Sequence, residues 1–152
     1  MNQKIDIGYK ALIFEAQKIA KTVTVDDAKK FINNEDYIFI DLRDYREILR
    51  EGKIPGSFSC PRGMLEFWID PDSPYHKTVF NQKKHYVFYC ASAWRSALSA
   101  KTAIEMGLNP VSHLEGGLTN CVFNWRQQLI KLSANLEALI DFSDEEIPKN
   151  LE

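Results

Sequence analysis

The chain has 152 residues, of which 45% are hydrophobic and 26% are charged, and its formal net charge is −2. This composition is typical of one soluble globular domain with an ordinary core, and the lack of a basic excess argues against a nucleic-acid partner. No apolar run reaches the length of a membrane span and lysines interrupt the N-terminal segment, so we expect neither a membrane partner nor a signal peptide.

The three cysteines form an odd number without CxxC spacing, which argues against a disulfide framework and against a zinc site. The three histidines, His76, His85 and His113, also lack the spacing of metal ligands, and we interpret them as surface or packing residues. The sequence therefore predicts no metal, no cofactor and a reducing, cytoplasmic location.

Turn residues divide the first half of the chain into alternating helices and strands. Apolar residues among lysines predict an amphipathic helix over residues 7–21. Thr24, with an acid three residues further on, predicts the N-cap of a helix that runs through Ile32. The apolar run at residues 37–42 predicts a strand covered on both faces, followed by a short helix over residues 44–50.

The second half of the chain continues this alternation. Residues 57–59 predict a short strand, residues 61–69 a helix and residues 70–74 a loop. An aromatic strand then ends at Cys90, and its following helix ends at Gly107. The remaining predicted elements are a strand at 111–114, a helix over 118–131 and an acidic tail at 141–146, the tail being either a short helix or a loose end.

Cys90 ends its strand and opens a loop that encloses four residues before Arg95. A strand–loop–helix junction of small residues points several backbone N–H groups at one place and adds the positive end of a helix dipole. These groups and the arginine stabilise a thiolate, which is the chemistry of a nucleophile. Ordinary core packing is the alternative, because free cysteines are often buried.

Strands that alternate with helices predict a parallel sheet with helices on both faces. In such sheets ligands bind beyond the carboxyl ends of the strands. Both Asp41 and Cys90 lie at predicted strand ends of this kind. Their placement therefore favours a functional site at this edge of the sheet.

Four short segments stand out by their order and spacing: Asp41-Leu42-Arg43, Gly52-Lys53-Ile54-Pro55-Gly56-Ser57, Tyr89-Cys90-Ala91-Ser92-Ala93-Trp94-Arg95-Ser96, and Leu114-Glu115-Gly116-Gly117 with Trp125. Together they resemble the motifs of the rhodanese-like sulfurtransferase family, over the chain from about Thr24 to Trp125. The resemblance implies a rhodanese fold, which is a five-stranded parallel sheet flanked by helices on both faces. It divides the chain into a helical extension (1–23), a rhodanese-like domain (24–131) and a helical, acidic tail (132–152).

Two residues depart from the family pattern. Lys53 stands where many members carry histidine, and Ala93 stands where glycine is frequent in the active loop. Neither change removes the nucleophile. Alanine at position 93 restricts the loop, because alanine adopts unusual backbone dihedrals less easily than glycine.

The resemblance implies that Cys90 accepts a sulfane sulfur as a persulfide, taken from a donor such as thiosulfate or another persulfide. A thiol or a cyanide-type acceptor, or a protein acceptor, then removes the sulfur. Arg95, the second expected catalytic residue, orients the loop or binds the donor anion. The loop amides are expected to hold the anionic sulfur and the substrate, and the loop residues assigned to this role are Ala91, Ser92, Ala93, Trp94 and Ser96.

Other residues near these motifs have both a structural and a functional interpretation. The charged side chains of Asp41, Arg43 and Glu47 are expected to support the site without contacting substrate. Trp68 and Trp94 are candidates for the wall of the pocket. Packing in the core is the alternative, because it is the commoner role of aromatic residues. Two further cysteines are interpreted as structural, with a persulfide-resolving role as the alternative, namely Cys60 and Cys121.

Loop length distinguishes the main alternative enzyme class. Cysteine phosphatases and the related arsenate reductases place five residues between cysteine and arginine, and this wider loop accepts a tetrahedral oxyanion. Here four residues separate Cys90 from Arg95, and no aspartate in the loop offers a general acid. A persulfide carrier or binding module for a partner protein stays open, because it would use the same cysteine.

Overall fold

The computed structural model describes residues 3–145, with side chains through residue 137 of the last helix. Five strands form one sheet in the order β1-β5-β4-β2-β3, and every neighbouring pair is parallel. This arrangement confirms the predicted fold class. The strands are β1 (Lys21–Val23), β2 (Tyr37–Asp41), β3 (Phe58–Ser59), β4 (His85–Tyr89) and β5 (Val111–Leu114).

Helices cover both faces of the sheet, because alternate residues of each strand point to opposite sides. Ile40 and Phe88 join a core on one face with α4 and α5, whereas Phe39 and Val87 join a second core with α2 and the start of α6. Helix α1 lies against α5. The helices are α1 (Tyr9–Ile19), α2 (Val25–Phe31), α3 (Tyr45–Glu51), α4 (Leu65–Ile69), α5 (Trp94–Glu105) and α6 (Gly117–Glu145).

The predicted helix starts of α2 and α3 are explained by their caps. The Thr24 side chain accepts a hydrogen bond from the backbone amide of Asp27 at the start of α2. Asp44 caps α3 in a reciprocal capping box with Glu47. These local hydrogen bonds satisfy amides that have no partner inside the helix, so they fix where the helix begins.

Strand β1 corrects the prediction that the first helix reaches Lys21. The helix ends at Ile19, and residues 21–23 pair instead with Ser112, His113 and Leu114 of β5. Only Val23 of this strand is buried. Three residues with one inward side chain carry too little alternation for a sequence pattern to show a strand.

Helix α6 corrects the prediction of a helix that ends at Lys131. It continues without interruption to Glu145, because no glycine or proline occurs between Gly117 and that residue. Residues 141–145 of the acidic tail therefore continue α6, and Glu146 lies outside the described residues. The predicted helix at 61–69 is also divided, into a 3-10 turn at Arg62–Met64 and α4. Among the described helices, none combines the length and apolarity that a bilayer-spanning segment requires.

Candidate active site

The active loop, residues 90–96, leaves the carboxyl end of β4 and enters α5. Cys90 is fully buried, and its Sγ lies 3.7 Å from the Ser96 hydroxyl. That hydroxyl in turn donates a hydrogen bond to the carbonyl of Ala93 at 3.0 Å. Arg95 lies in the first turn of α5. The structure thus brings the predicted nucleophile, the predicted arginine and the start of a helix to one place.

The first turn of α6 fixes the direction of the loop peptides. The amide of Leu118 donates to the carbonyl of Cys90 at 2.8 Å, and the amide of Thr119 donates to the carbonyl of Ala91 at 3.1 Å. In a trans peptide the N–H points opposite to the carbonyl, so the amides of Ala91 and Ser92 point away from α6. Within the described part of the chain, no active-loop amide after Cys90 donates a hydrogen bond to a protein acceptor. Amides without a protein acceptor are free to donate hydrogen bonds to a bound anion.

Gly117 allows α6 to approach the loop this closely. Its φ is +64°, and an added Cβ would lie 2.4 Å from the carbonyl oxygen of Cys90 and 2.5 Å from that of Ala91. A side chain at this position would push the helix away from the loop. Gly117 stands in one of the family-like segments and directly before a predicted helix, but its close approach to the active loop was not predicted. A doubled glycine directly after a buried strand is the signal that points to such a contact.

Ala93 adopts the left-handed conformation, with φ +68° and ψ −9°. This conformation costs an L-residue with a Cβ about 1–2 kcal/mol, and glycine avoids the cost. This chain therefore places an alanine at a position whose backbone conformation favours glycine. The restriction of the loop that this alanine predicts is therefore backbone strain at Ala93.

Arg95 is held by Glu47 of α3. Its two terminal guanidinium nitrogens donate to the two carboxylate oxygens at 2.7 and 2.6 Å. This bidentate contact lowers the pKa of Glu47 to about 2. The same contact raises the pKa of Arg95, with a smaller contribution from the nearby charge of Cys90. Arg95 therefore stays protonated beside the thiol, and Glu47 stays ionised as its partner.

Asp41 and Arg43 form a second pair in which both side chains are fully buried. Arg43 donates to the two oxygens of Asp41 at 2.9 and 2.7 Å and to the carbonyl of Gly52 at 2.6 Å. The Tyr89 hydroxyl donates to Asp41 at 2.8 Å. Tyr89 directly precedes Cys90, so this network fixes the strand end from which the active loop leaves. The contact of Tyr89 with Asp41 was not predicted, because the two residues lie 48 positions apart in sequence.

The two tryptophans differ in their surroundings. Trp68 is partly buried and packs edge-on against Phe58, with ring centroids 6.0 Å apart. Trp94 is 53% exposed, and its ring lies 5.1 Å from that of Tyr9 in α1. Trp68 is thus placed as a packing residue, and Trp94 stands at the surface of the active loop. Lys53 donates to a backbone carbonyl, that of Ser57, at 3.0 Å.

Cys60 and Cys121 are buried in the two separate cores, and both thiols are free. Burial raises the pKa of Cys60 to about 12 and the pKa of Cys121 to about 11. A protonated thiol is a poor nucleophile, so this environment suits a structural role. The buried His113 bonds to Thr22. In the part of the chain that is described, no group of three or more His, Cys, Asp or Glu is arranged to hold a metal ion.

The fold and this loop define an α/β protein with a buried cysteine at the carboxyl edge of a parallel sheet. The family model of the rhodanese-like domain matches residues 24–122. A mouse protein, thiosulfate sulfurtransferase/rhodanese-like domain-containing protein 3, is 33% identical over 102 residues. The match covers 64% of this chain and 65% of the mouse protein, a little under two thirds of its length. The chain belongs to the rhodanese-like domain family.

Solved structures share the fold. A Rhodopseudomonas palustris protein of unknown function, described as a possible tyrosine phosphatase, is 53% identical with a TM-score of 0.80, over 82% of this chain and 96% of that chain. A human single-domain sulfurtransferase is 21% identical with a TM-score of 0.55, over 64% of this chain and 91% of that chain. At the lower identity the likeness concerns the fold alone.

Proposed function

We propose that the protein is a sulfurtransferase that moves a sulfane sulfur to a thiophilic acceptor through a persulfide on Cys90. The observation that carries this proposal is the four-residue loop between Cys90 and Arg95. Its Ala91 and Ser92 amides point away from α6, and among the described residues its amides have no protein acceptor. A short ring of N–H groups suits one terminal sulfur anion. Membership of the rhodanese-like family supports the same chemistry.

The reaction has two steps. The Cys90 thiolate attacks the outer sulfur of a donor such as thiosulfate, a new S–S bond forms at Cys90, and the donor S–S bond breaks to release sulfite. The persulfide anion then lies among the loop amides. In the second step cyanide or a thiolate attacks the terminal sulfur, which leaves as thiocyanate or as a new persulfide and returns the Cys90 thiolate.

We assign Arg95 to orienting the loop rather than to binding the donor. Glu47 occupies both of its terminal nitrogens, so the guanidinium fork is already engaged. Its charge still stabilises the thiolate and the persulfide, because it lies beside Cys90. The network of Asp41, Arg43 and Tyr89 supports the strand end and does not contact substrate in this mechanism.

A phosphatase function is disfavoured by the same geometry, although the relative from Rhodopseudomonas palustris is described as a possible tyrosine phosphatase. Oxyanion binding requires a wider loop and an arginine whose fork faces the anion. Here the loop is one residue shorter and Glu47 holds the fork. We expect negligible hydrolysis of an aryl phosphate under conditions in which thiosulfate loads the enzyme.

The decisive experiment is intact mass after incubation with thiosulfate, combined with thiocyanate formation from cyanide. The wild type should gain one reducible sulfur atom and turn over. Cys90→Ser should fold, gain no sulfur and form no thiocyanate, because a hydroxyl forms no persulfide. Cys121→Ala is the matched control, and it should still load and turn over.

Three outcomes bear on the alternatives. Substantial turnover by folded Cys90→Ser would overturn the assignment of the nucleophile. Efficient aryl phosphate hydrolysis without sulfur loading would replace a sulfurtransferase by a phosphatase. Loading without turnover by cyanide or small thiols would instead indicate a carrier for a protein acceptor.

A reducing, cytoplasmic location stays part of the proposal, in keeping with the three free thiols.

A further inference from the structure

A sulfur donor has to reach a thiol that is itself fully buried. Within the active loop, residues 90–96, the exposed residues are Ser92 and Trp94. Trp94 is the large one, and 53% of it is accessible. Trp94 is therefore the large apolar side chain that the active loop presents to an organic group on an approaching donor.

Helix α1 brings further side chains to this ring. It lies outside residues 24–122, which the family model matches, and it packs against α5. Its Ala16 is fully buried. Its first residue, Tyr9, places its ring 5.1 Å from that of Trp94 at an interplanar angle of 45°. The start of α1 is thus fixed beside the start of α5, which is where the active loop ends.

Between these two helices lies a cavity of about 320 Å³, which we call the α1 cavity. Its size is that of a small-ligand site. Most of its lining side chains are aromatic or aliphatic, and one is a cation, which complements the negative charge of a sulfane sulfur donor. The lining residues are Tyr9, Lys10, Ile13, Phe14, Gln17 and Trp94.

We propose that the α1 cavity binds the organic group of the sulfur donor, so that this protein prefers an organic persulfide with an apolar group to inorganic thiosulfate. This inference rests on the proposed function. The carrying observation is that Trp94 belongs both to the active loop and to the cavity wall. Thiosulfate has no group that would fill the cavity.

The transfer step balances for such donors. For a persulfide R–S–S⁻, the Cys90 thiolate attacks the terminal sulfur, the donor S–S bond breaks, and R–S⁻ leaves with the electron pair. For a thiosulfonate R–SO₂–S⁻, the same attack releases the sulfinate R–SO₂⁻. Both reactions leave one persulfide anion on Cys90, with no external oxidant or reductant. Thiosulfonates are therefore stable probes for the R group.

The test compares benzenethiosulfonate with methanethiosulfonate, which differ only in the organic group. In the wild type, kcat/KM should be about tenfold higher for the benzene compound, as aromatic contacts allow. Tyr9→Ala should bring the ratio of the two kcat/KM values close to one, whereas Tyr9→Phe should preserve it. Tyr75→Ala is the matched control, because Tyr75 is an exposed tyrosine in the connection that leads back to the start of β4.

Each outcome has a defined meaning. A preference for the benzene compound that Tyr9→Ala removes and Tyr75→Ala retains supports the proposal. Equal use of both donors by the wild type, or a preference unaffected by Tyr9→Ala in a protein that melts like the wild type, overturns the proposal and leaves the sulfurtransferase function standing. If neither thiosulfonate loads Cys90 but thiosulfate does, this inference is overturned and the sulfurtransferase function stands. If thiosulfate also fails to load Cys90, the proposed function fails and this inference falls with it.

Discussion

Two arginine–carboxylate pairs lie near the carboxyl edge of the sheet, and they differ in exposure and in what they join. Asp41 and Arg43 are both 0% exposed and stand two residues apart in sequence. Glu47 and Arg95 are 21% and 39% exposed and connect α3 to α5 across 48 residues. The first pair closes a corner of the chain, and the second holds the active loop against another helix.

The difference in burial separates a structural from a functional pair. Two charges removed from water are tolerated only when hydrogen bonds replace most of their hydration, and Arg43 obtains such bonds from Asp41, Glu51 and Gly52. A pair that still reaches water contributes less to stability. The position of the Glu47–Arg95 pair beside Cys90 therefore matters more for the electrostatics of the site than for the stability of the fold.

Breaking the buried pair should have the largest effect on stability. Asp41→Asn leaves the charge of Arg43 buried without its carboxylate, which should lower the free energy of unfolding by about 3–5 kcal/mol. In a chain of this size the melting temperature should fall by about 10 °C. Urea unfolding and calorimetry measure both quantities.

The control for this variant is Glu51→Gln, which removes the partly exposed partner of the same arginine. Its cost should stay below about 1 kcal/mol, because Glu51 is 39% exposed and solvent screens the contact. Equal costs for the two variants would show that burial does not separate the partners of Arg43.

Breaking the second pair should change activity more than stability. Glu47→Gln removes the carboxylate that orients Arg95, and we expect kcat/KM for sulfur transfer to fall about tenfold because the loop is less well positioned. The free energy of unfolding at neutral pH should fall by about 1 kcal/mol. Glu66→Gln is the matched control, since Glu66 of α4 forms a similarly exposed pair with Arg62 of the adjoining 3-10 turn.

The pH dependence of the free energy of unfolding of Glu47→Gln tests whether loss of the ion pair, rather than a general disturbance of the fold, causes its effect. The pKa of Glu47 is lower in the folded protein, about 2, than its ordinary value of 4.5. The carboxylate therefore stabilises the fold fully above pH 4.5, and this contribution is lost as the pH falls towards 2. The stability difference between wild type and Glu47→Gln should shrink over that window. A constant difference would contradict the ion-pair explanation.

Local sequence signals predicted most of the fold, and they also singled out Cys90 as the candidate nucleophile. Helix caps such as Thr24 and Asp44 act within three residues, and the apolar strands β2 and β4 lie in continuous buried runs. Cys90 was identifiable because small residues follow one of these strands. In each case the determining interactions lie within a few residues of the pattern that revealed them.

Contacts between distant segments escaped prediction. Strand β1 exists because β5 offers it a partner, and its own three residues carry little pattern. Tyr9 meets Trp94 through the packing of α1 on α5, which no local spacing encodes. The partner of Arg95 could have been any nearby acid, and only the fold selects Glu47. The active site was therefore predictable as a loop, but its surroundings were not.

The smallest expected effect on stability concerns backbone strain at Ala93, in the loop beside Arg95. The corner at Arg43 has no residue with a left-handed backbone. Ala93 has φ +68°, and Ala97, one turn further along α5, has ordinary helical geometry. Both alanines are buried, so alanine-to-glycine changes remove the same methyl group. Only at Ala93 does glycine also relieve a left-handed conformation. The two variants therefore separate backbone strain from loss of packing.

Ala97→Gly should lower the free energy of unfolding by about 1 kcal/mol, because glycine is unfavourable inside a helix. Ala93→Gly should stay within about 0.5 kcal/mol of the wild type, since relief of the left-handed strain offsets the lost methyl and the greater freedom of the unfolded chain. The expected difference between the variants is thus about 1 kcal/mol, measurable by urea unfolding. Equal losses at both positions would show that Ala93 is not strained. In that case the alanine would be an ordinary buried residue, and the short loop alone would define the cradle around Cys90.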